Sequence, residues 1–149
     1  MLSATSASGA KVAVEMRQAN LKYQSKNRQV HALKDVDLSI EEGSFVCLVG
    51  PSGCGKTSIL RLIAGFLQPT SGSITLDGRP IEGPDRQRGV VFQQPTLYLW
   101  LTVQQNVEFG LKMRKVPREK RRETAQHCIE MVELQEFANA FPYELSGGM

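Results

Sequence analysis

Apolar and polar residues alternate along the opening of the chain. In "KVAVEM" Val12, Val14 and Met16 share one face, and in "DVDLSI" Val36, Leu38 and Ile40 do the same. The polar stretch Gln24 to Gln29 separates them, which predicts an antiparallel hairpin with one face in water. The pattern then changes. Phe45 to Val49 is continuously apolar, as in a parallel-sheet strand covered on both faces. A glycine-rich turn follows, and beyond it Leu60, Ile63, Ala64 and Leu67 recur at helical spacing. Strand, tight turn and helix in that order begin an α/β unit. "SITLDG" predicts a short strand ending in an Asp-Gly turn, and Gly89 to Phe92 a further buried strand. From Thr102 the pattern is helical, first in "TVQQNVEFGLKM" and then in "PREKRRETAQHCIEMVEL", where Pro117 suits the first helical position. Neither an internal repeat nor a low-complexity block interrupts the chain.

Composition narrows this only a little. A chain of 149 residues, 41% hydrophobic and 22% charged, fits one globular domain. Its longest apolar run, Phe45 to Val49, is far too short to cross a bilayer. Residues 1–10 are small and polar, lack the apolar middle of a secretory signal, and are expected to be a disordered tail. A net charge of +3 is too weak to imply nucleic acid. The three cysteines have no metal-ligand spacing, which suits a reducing compartment. Cys47 and Cys128 are expected to be buried and structural.

One segment carries chemistry. "GPSGCGKT", Gly50 to Thr57, matches G-x-x-x-x-G-K-[ST] in full. Gly50, Gly53 and Gly55 allow backbone angles that turn successive N–H groups into one concavity. The helix that begins there presents its free N–H groups and positive dipole end to the same point. Lys56 brings a charge to the β and γ phosphates, and the Thr57 hydroxyl can ligate Mg²⁺. With Pro51, Ser52, Cys54 and Ser58 these residues form the expected nucleotide site. The loop follows an apolar strand and opens an amphipathic helix, the context that such a motif requires. By itself it leaves nucleotide type and downstream work open. Cys54 lies within the loop, where a helix N-terminus can lower a thiol pKa, but it reads more simply as a tolerated side chain.

Near the end stands "PYELSGGM", Pro142 to Met149. Beside the phosphate loop, "LSGG" resembles the signature motif of ABC-transporter ATPase subunits, and the resemblance runs from about Val12 to Met149. It implies an α/β, P-loop NTPase fold of the ABC nucleotide-binding type, with an antiparallel β subdomain, a RecA-like core and a helical subdomain from about residue 98 to 149. Tyr23 falls where the family stacks an aromatic ring on adenine. Gln93 falls where the family has a glutamine that contacts the metal and water, with Gln94 its rival. Ser146, Gly147 and Gly148 match the residues that meet the γ-phosphate of nucleotide held by an opposite subunit. The family therefore implies two chains meeting head to tail over ATP and Mg²⁺. "PTLYLWLTVQQNVEFGL" resembles the segment that contacts a transmembrane permease. The run "GRPIEGPDRQRGVVFQQ" is most similar to importer ATPases of the nitrate, sulfonate and taurine group, taurine-type members above all. This implies an ATP hydrolase peripheral to the cytoplasmic face of the membrane, coupled indirectly to an external solute-binding protein.

The chain departs from the family pattern in places. Leu99 stands where the family usually has proline, and Met149 where signatures often have glutamine. An acidic strand ending in Asp-Glu and a later His, both needed for hydrolysis, do not occur. "SITLD" ends in Asp77 but leads into an Asp-Gly turn, and His31 and His127 follow no acidic strand. We therefore expect residues 11–149 to be the N-terminal part of one ABC ATPase domain, incomplete at its C-terminus, poorly stable and unable to turn over ATP alone. Two alternatives stay open: an ABC ATPase acting outside transport, in translation or DNA repair, and a nucleotide-binding remnant without catalysis. Finally, "KMRKVPREKRR", Lys112 to Arg122, has seven basic residues in eleven. It fits a nucleic-acid or lipid-headgroup patch or, better, a solvated helical face, because no aromatic is interleaved. No nucleic-acid partner is expected.

Overall fold

The computed structural model describes residues 3–4, 11–25, 28–94 and 96–149. They divide into two compact units, residues 1–91 and 92–149.

The first unit is built on a sheet of five strands in the order β1-β3-β2-β4-β5. The strands are β1 (Ser3–Ala4), β2 (Val12–Ser25), β3 (Arg28–Glu41), β4 (Ser71–Leu76) and β5 (Arg79–Pro80). β2 and β3 form the expected antiparallel hairpin, with Val14 opposite Ile40 and Met16 opposite Leu38. The pairing continues through Gln24–Gln29 to Ser25–Arg28, so the turn is tighter than the polar stretch suggests. Lys26 and Asn27 lie outside the described residues. Ser3–Ala4 run parallel to β3 beside Asp37 and Leu38; the rest of the expected tail, residues 1–2 and 5–10, lies outside the described residues. β4 pairs with the other edge of β2 and closes on β5 through Asp77 and Gly78, both with positive φ, as a two-residue hairpin turn requires.

β2 carries a bulge between Arg17 and Asn20, where Gln18 takes a φ of 45°. The Asn20 side chain holds it, donating to the Gln18 carbonyl and to Asp35 Oδ1 at 2.9 and 3.0 Å. The core beneath the sheet joins Met16, Ala19, Leu21, Leu33, Val36, Ile74 and Ile81 to Ile59 and Leu62 of helix α1 (Lys56–Ile63). The buried face of α1 is therefore set by Ile59, Leu62 and the capping Ala64. Ile63 and Leu67 pack only partly, and Leu60, placed on the apolar stripe by its spacing, is exposed.

Two expectations fail here. Residues 45–49 and 89–92 are not strands, and they are not buried: Phe45 is 96% exposed, Val49 83% and Val91 99%. A doubly covered strand needs neighbours on both sides, and among the described strands none lies beside either segment. Cys47 is carried out to solvent with its segment, and Cys128 is also exposed, so neither is a core thiol.

The second unit is helical. α2 (Val103–Met113) begins with a capping box, in which the Thr102 hydroxyl accepts from Gln105 N and the Gln105 side chain accepts from Thr102 N. α3 (Arg118–Met131) buries Ala125 and Ile129. Pro117 precedes its first helical residue as the N-cap, one position earlier than expected, because its ψ of 144° is extended. Ahead of α2, Asn106 fastens residues 98–102. Its amide donates to the carbonyls of Tyr98, Leu101 and Thr102, and its oxygen accepts from Tyr98 N. Asn106→Ala leaves these groups unpaired and is expected to cost about 1–3 kcal/mol, read as a lower urea midpoint.

Candidate functional site

The loop 50–57 owes its shape to its glycines. Gly53 and Gly55 have φ of 81° and 99°, in the region that disfavours side chains. At Gly55 an added Cβ would also stand 2.6 Å from Leu33 Cδ2 and 2.9 Å from the Ala32 carbonyl. The loop thus presses against β3, and a larger residue would push it off. Gly55 is also the N-cap of α1 and offers no side-chain cap. The first α1 backbone bond joins Ile59 N to the Gly55 carbonyl, which leaves the N–H groups of Lys56, Thr57 and Ser58 ahead of the helix's own acceptors. These donors, the dipole end and the lysine make one anion-binding point.

The Lys56 ammonium lies inside the loop. It donates to the Gly50 and Pro51 carbonyls at 2.7 Å each and approaches Cys54 Sγ at 3.4 Å. A phosphate entering the loop competes with neutral carbonyls for this ammonium, an exchange that favours the charged acceptor. Pro51, Ser52 and Cys54 are exposed along the rim, as is Thr57.

Tyr23 meets this loop. Its hydroxyl is 3.3 Å from Ser58 Oγ, and it shares a cavity of about 300 Å³ with Gly53, Gly55, Lys56, Thr57 and Ser58. That volume lies at the small end of ligand sites. Residues Val30, His31 and Ala32 of β3 line the same cavity, and sequence reasoning did not include them. The signal for them is the hairpin register, which sets Val30 opposite Tyr23 and His31 opposite Lys22. A phosphate tail on the loop with a planar base toward Tyr23 fits this donor set. For a hard cation, the Thr57 hydroxyl is the protein oxygen at hand. Among the described residues no group of three or more His, Cys, Asp or Glu side chains gathers elsewhere to hold a metal.

The remaining expected residues belong to the second unit. Gln93 and Gln94 are exposed at its start. Ser146, Gly147 and Gly148 are exposed near its end, in a turn closed by Met149 N on the Ser146 carbonyl at 3.0 Å. An added Cβ at Gly147 or Gly148 meets nothing within 4 Å, and neither has a positive φ. Nothing within the described chain therefore requires glycine there. Leu97, Leu99 and Trp100 form an exposed apolar edge, Trp100 at 72%, with the Tyr98 ring packed against Phe109 at 4.4 Å between ring centres and tilted by 45°.

A family model described as "ABC transporter" matches residues 33–149. The taurine import ATP-binding protein TauB of Pelagibacter ubique is 50% identical over 124 residues, covering 83% of this chain and 47% of that protein. The nitrate import ATP-binding protein NrtD of Synechocystis sp. is 48% identical over 136 residues, covering 91% of this chain and 51% of that protein. The chain thus spans about half the length of the curated relatives it matches. Among solved structures, the dimeric structure of MJ0796, described as a bacterial ABC transporter cassette, superposes with a TM-score of 0.81 at 35% identity over 91% of this chain and 64% of that one. The same cassette in a post-hydrolysis state bound to ADP and Pi gives a TM-score of 0.78 at 36% identity.

Proposed function

The chain belongs to the ABC transporter family, with an ABC ATPase cassette fold, and from that membership we propose that it is the ATP-binding, energy-coupling part of an importer for small anions of the taurine, sulfonate or nitrate kind. The observation that carries the ATP reading is the glycine-shaped loop 50–57, with Lys56 at its centre and Tyr23 beside it. The loop N–H groups and Lys56 hold the phosphates, the Thr57 hydroxyl would hold Mg²⁺, and Tyr23 takes the base. Mg²⁺ supplies charge neutralisation at the β and γ phosphates when bound. The printed names of the relatives support the import reading and a solute of the taurine or nitrate kind.

The signature residues act on a second chain. Gly147 and Gly148 face open space, as expected where the close neighbour is the nucleotide of a partner packed head to tail. Gly147→Ala is expected to leave the thermal midpoint within about 2 °C and to weaken ATP-dependent pairing roughly tenfold, read by analytical ultracentrifugation. The apolar edge 97–100 and the segment that follows dock a permease at the cytoplasmic face of the membrane, and an external solute-binding protein acts through that permease. Among the described residues no helix is long and apolar enough to cross a membrane.

Within these 149 residues no apolar strand ends in Asp-Glu, so the chain alone binds nucleotide without turning it over. A steady-state ATPase rate that disappears with Lys56→Ala would overturn this. Affinity purification from native membranes tests the importer reading. A co-purifying polytopic permease is expected, and association with ribosomes instead would contradict it.

A further inference from the structure

We infer that Val30 is a specificity-determining residue of the nucleotide site: beside Tyr23 it completes an apolar shelf that suits the double ring of a purine better than the single ring of a pyrimidine. This role rests on the reading of loop 50–57 as the phosphate cradle and extends it to the base. Val30 stands directly opposite Tyr23 in the β2–β3 ladder. Opposite residues of an antiparallel pair share one face, with Cβ atoms about 5 Å apart. Both residues line the cavity that also contains Lys56, Thr57 and Ser58.

Elsewhere the same face of the hairpin is covered. The neighbouring pair on that face, Leu21 opposite Leu33, is buried in the core with Ile59 and Leu62 of α1. The irregularity of the ladder between Leu21 and Lys22 absorbs the extra residue of β3, Ala32, so Tyr23 and Val30 return to the same side. They lie beyond the cover of α1, at 38% and 46% exposed. The apolar face therefore runs on past the helix and ends as one wall of the cavity.

Two contacts fix the width of this shelf. The Tyr23 hydroxyl meets Ser58 Oγ at 3.3 Å, which ties the ring to the first turn of α1. β3 in turn is pressed against the loop where Ala32 meets Gly55. A single pyrimidine ring is covered by the phenol ring alone. The second ring of a purine extends past it, and Val30 is the apolar side chain directly alongside. Lys22 and His31, the next opposite pair, alternate to the other face, so the side chains of the shelf carry no group that reads a base edge. The shelf therefore selects ring size, and adenine and guanine bind alike.

The test is equilibrium titration of the chain with ATP, GTP, CTP and inorganic tripolyphosphate in the presence of Mg²⁺. ATP and GTP are expected to bind about three- to tenfold more tightly than CTP. Val30→Ala should weaken ATP and GTP by about threefold or more and leave CTP and tripolyphosphate within about twofold. Val30→Thr keeps the β-branched shape that suits a strand while replacing a methyl with a hydroxyl, and it should lower the same purine preference; a thermal melt checks that both variants fold. A wild-type chain that binds CTP as tightly as ATP would overturn the inference. Folded variants that lose all four ligands equally would also overturn it, because Val30 would then act on the loop and not on the base. Tripolyphosphate binding, abolished by Lys56→Ala, tests the phosphate cradle separately: its absence would overturn that reading, and its presence without a purine preference would overturn only the role of Val30.

Discussion

Lys56→Ala is expected to weaken ATP binding by about 2–5 kcal/mol, roughly 30-fold or more, while the fold survives. The loss is large because the ammonium is the single side-chain charge inside the loop, directed at the point where the N–H groups of α1 also converge. The fold survives because what Lys56 holds without ligand, the Gly50 and Pro51 carbonyls, lies at the exposed surface, where water replaces it. Isothermal titration calorimetry with Mg²⁺-ATP reads the first effect and a thermal melt the second. A variant that binds ATP like the wild type would remove Lys56 from the site.

Gly72→Ala is expected to have the largest effect on stability, about 2–6 kcal/mol, lowering the midpoint of the first unit by roughly 10 °C or more. Gly72 has a φ of 82°, and its added Cβ would stand 2.1 Å from the Gln18 carbonyl oxygen and 2.6 Å from that of Arg17. These are backbone atoms of the bulge in β2, and the Asn20 side-chain amide donates to the Gln18 carbonyl. The bulge cannot retreat without losing the Asn20 and Asp35 bonds, and β4 cannot retreat without breaking its pairing with β2. Gly147→Ala makes the contrast: the same substitution in open space, with no loss of stability expected.

Neither glycine's role is visible in the sequence. Gly72 reads as part of a Thr-Ser-Gly turn, yet its demand comes from a bulge some fifty positions earlier. The hairpin and the loop 50–57 were legible because their signals are local: alternation fixes which face of β2 is buried, and the phosphate motif fixes its own backbone. The segments 45–49 and 89–92 were misread for the opposite reason. An apolar run states that a strand could be covered, and whether partner strands stand beside it is a matter of topology. Cys47 follows its segment to the surface. Leu60 was misplaced because α1 is a short helix, and a shift of one position turns a different stripe toward the sheet.

The site was legible in unequal parts. Lys56, Thr57 and the glycines followed from the motif alone, whereas Tyr23 came from family resemblance, and its contact with Ser58 required the register of the hairpin. Val30 and His31 were passed over because residues 24–29 read as a loop, and a tighter turn carries β3 alongside Tyr23. The basic run was read by composition as a solvated face, and six of its seven cations are exposed; Arg121, paired with Glu108, is the one partly buried.

Equilibrium titration of the chain with ATP, ADP and AMP in the presence of Mg²⁺ tests the central claim most directly. If the loop 50–57 is a phosphate cradle and Tyr23 only a sequence-tolerant stacking face, ATP and ADP bind and AMP binds at least about tenfold more weakly. AMP binding as tightly as ATP, or no binding of any of the three to the folded chain, would contradict it.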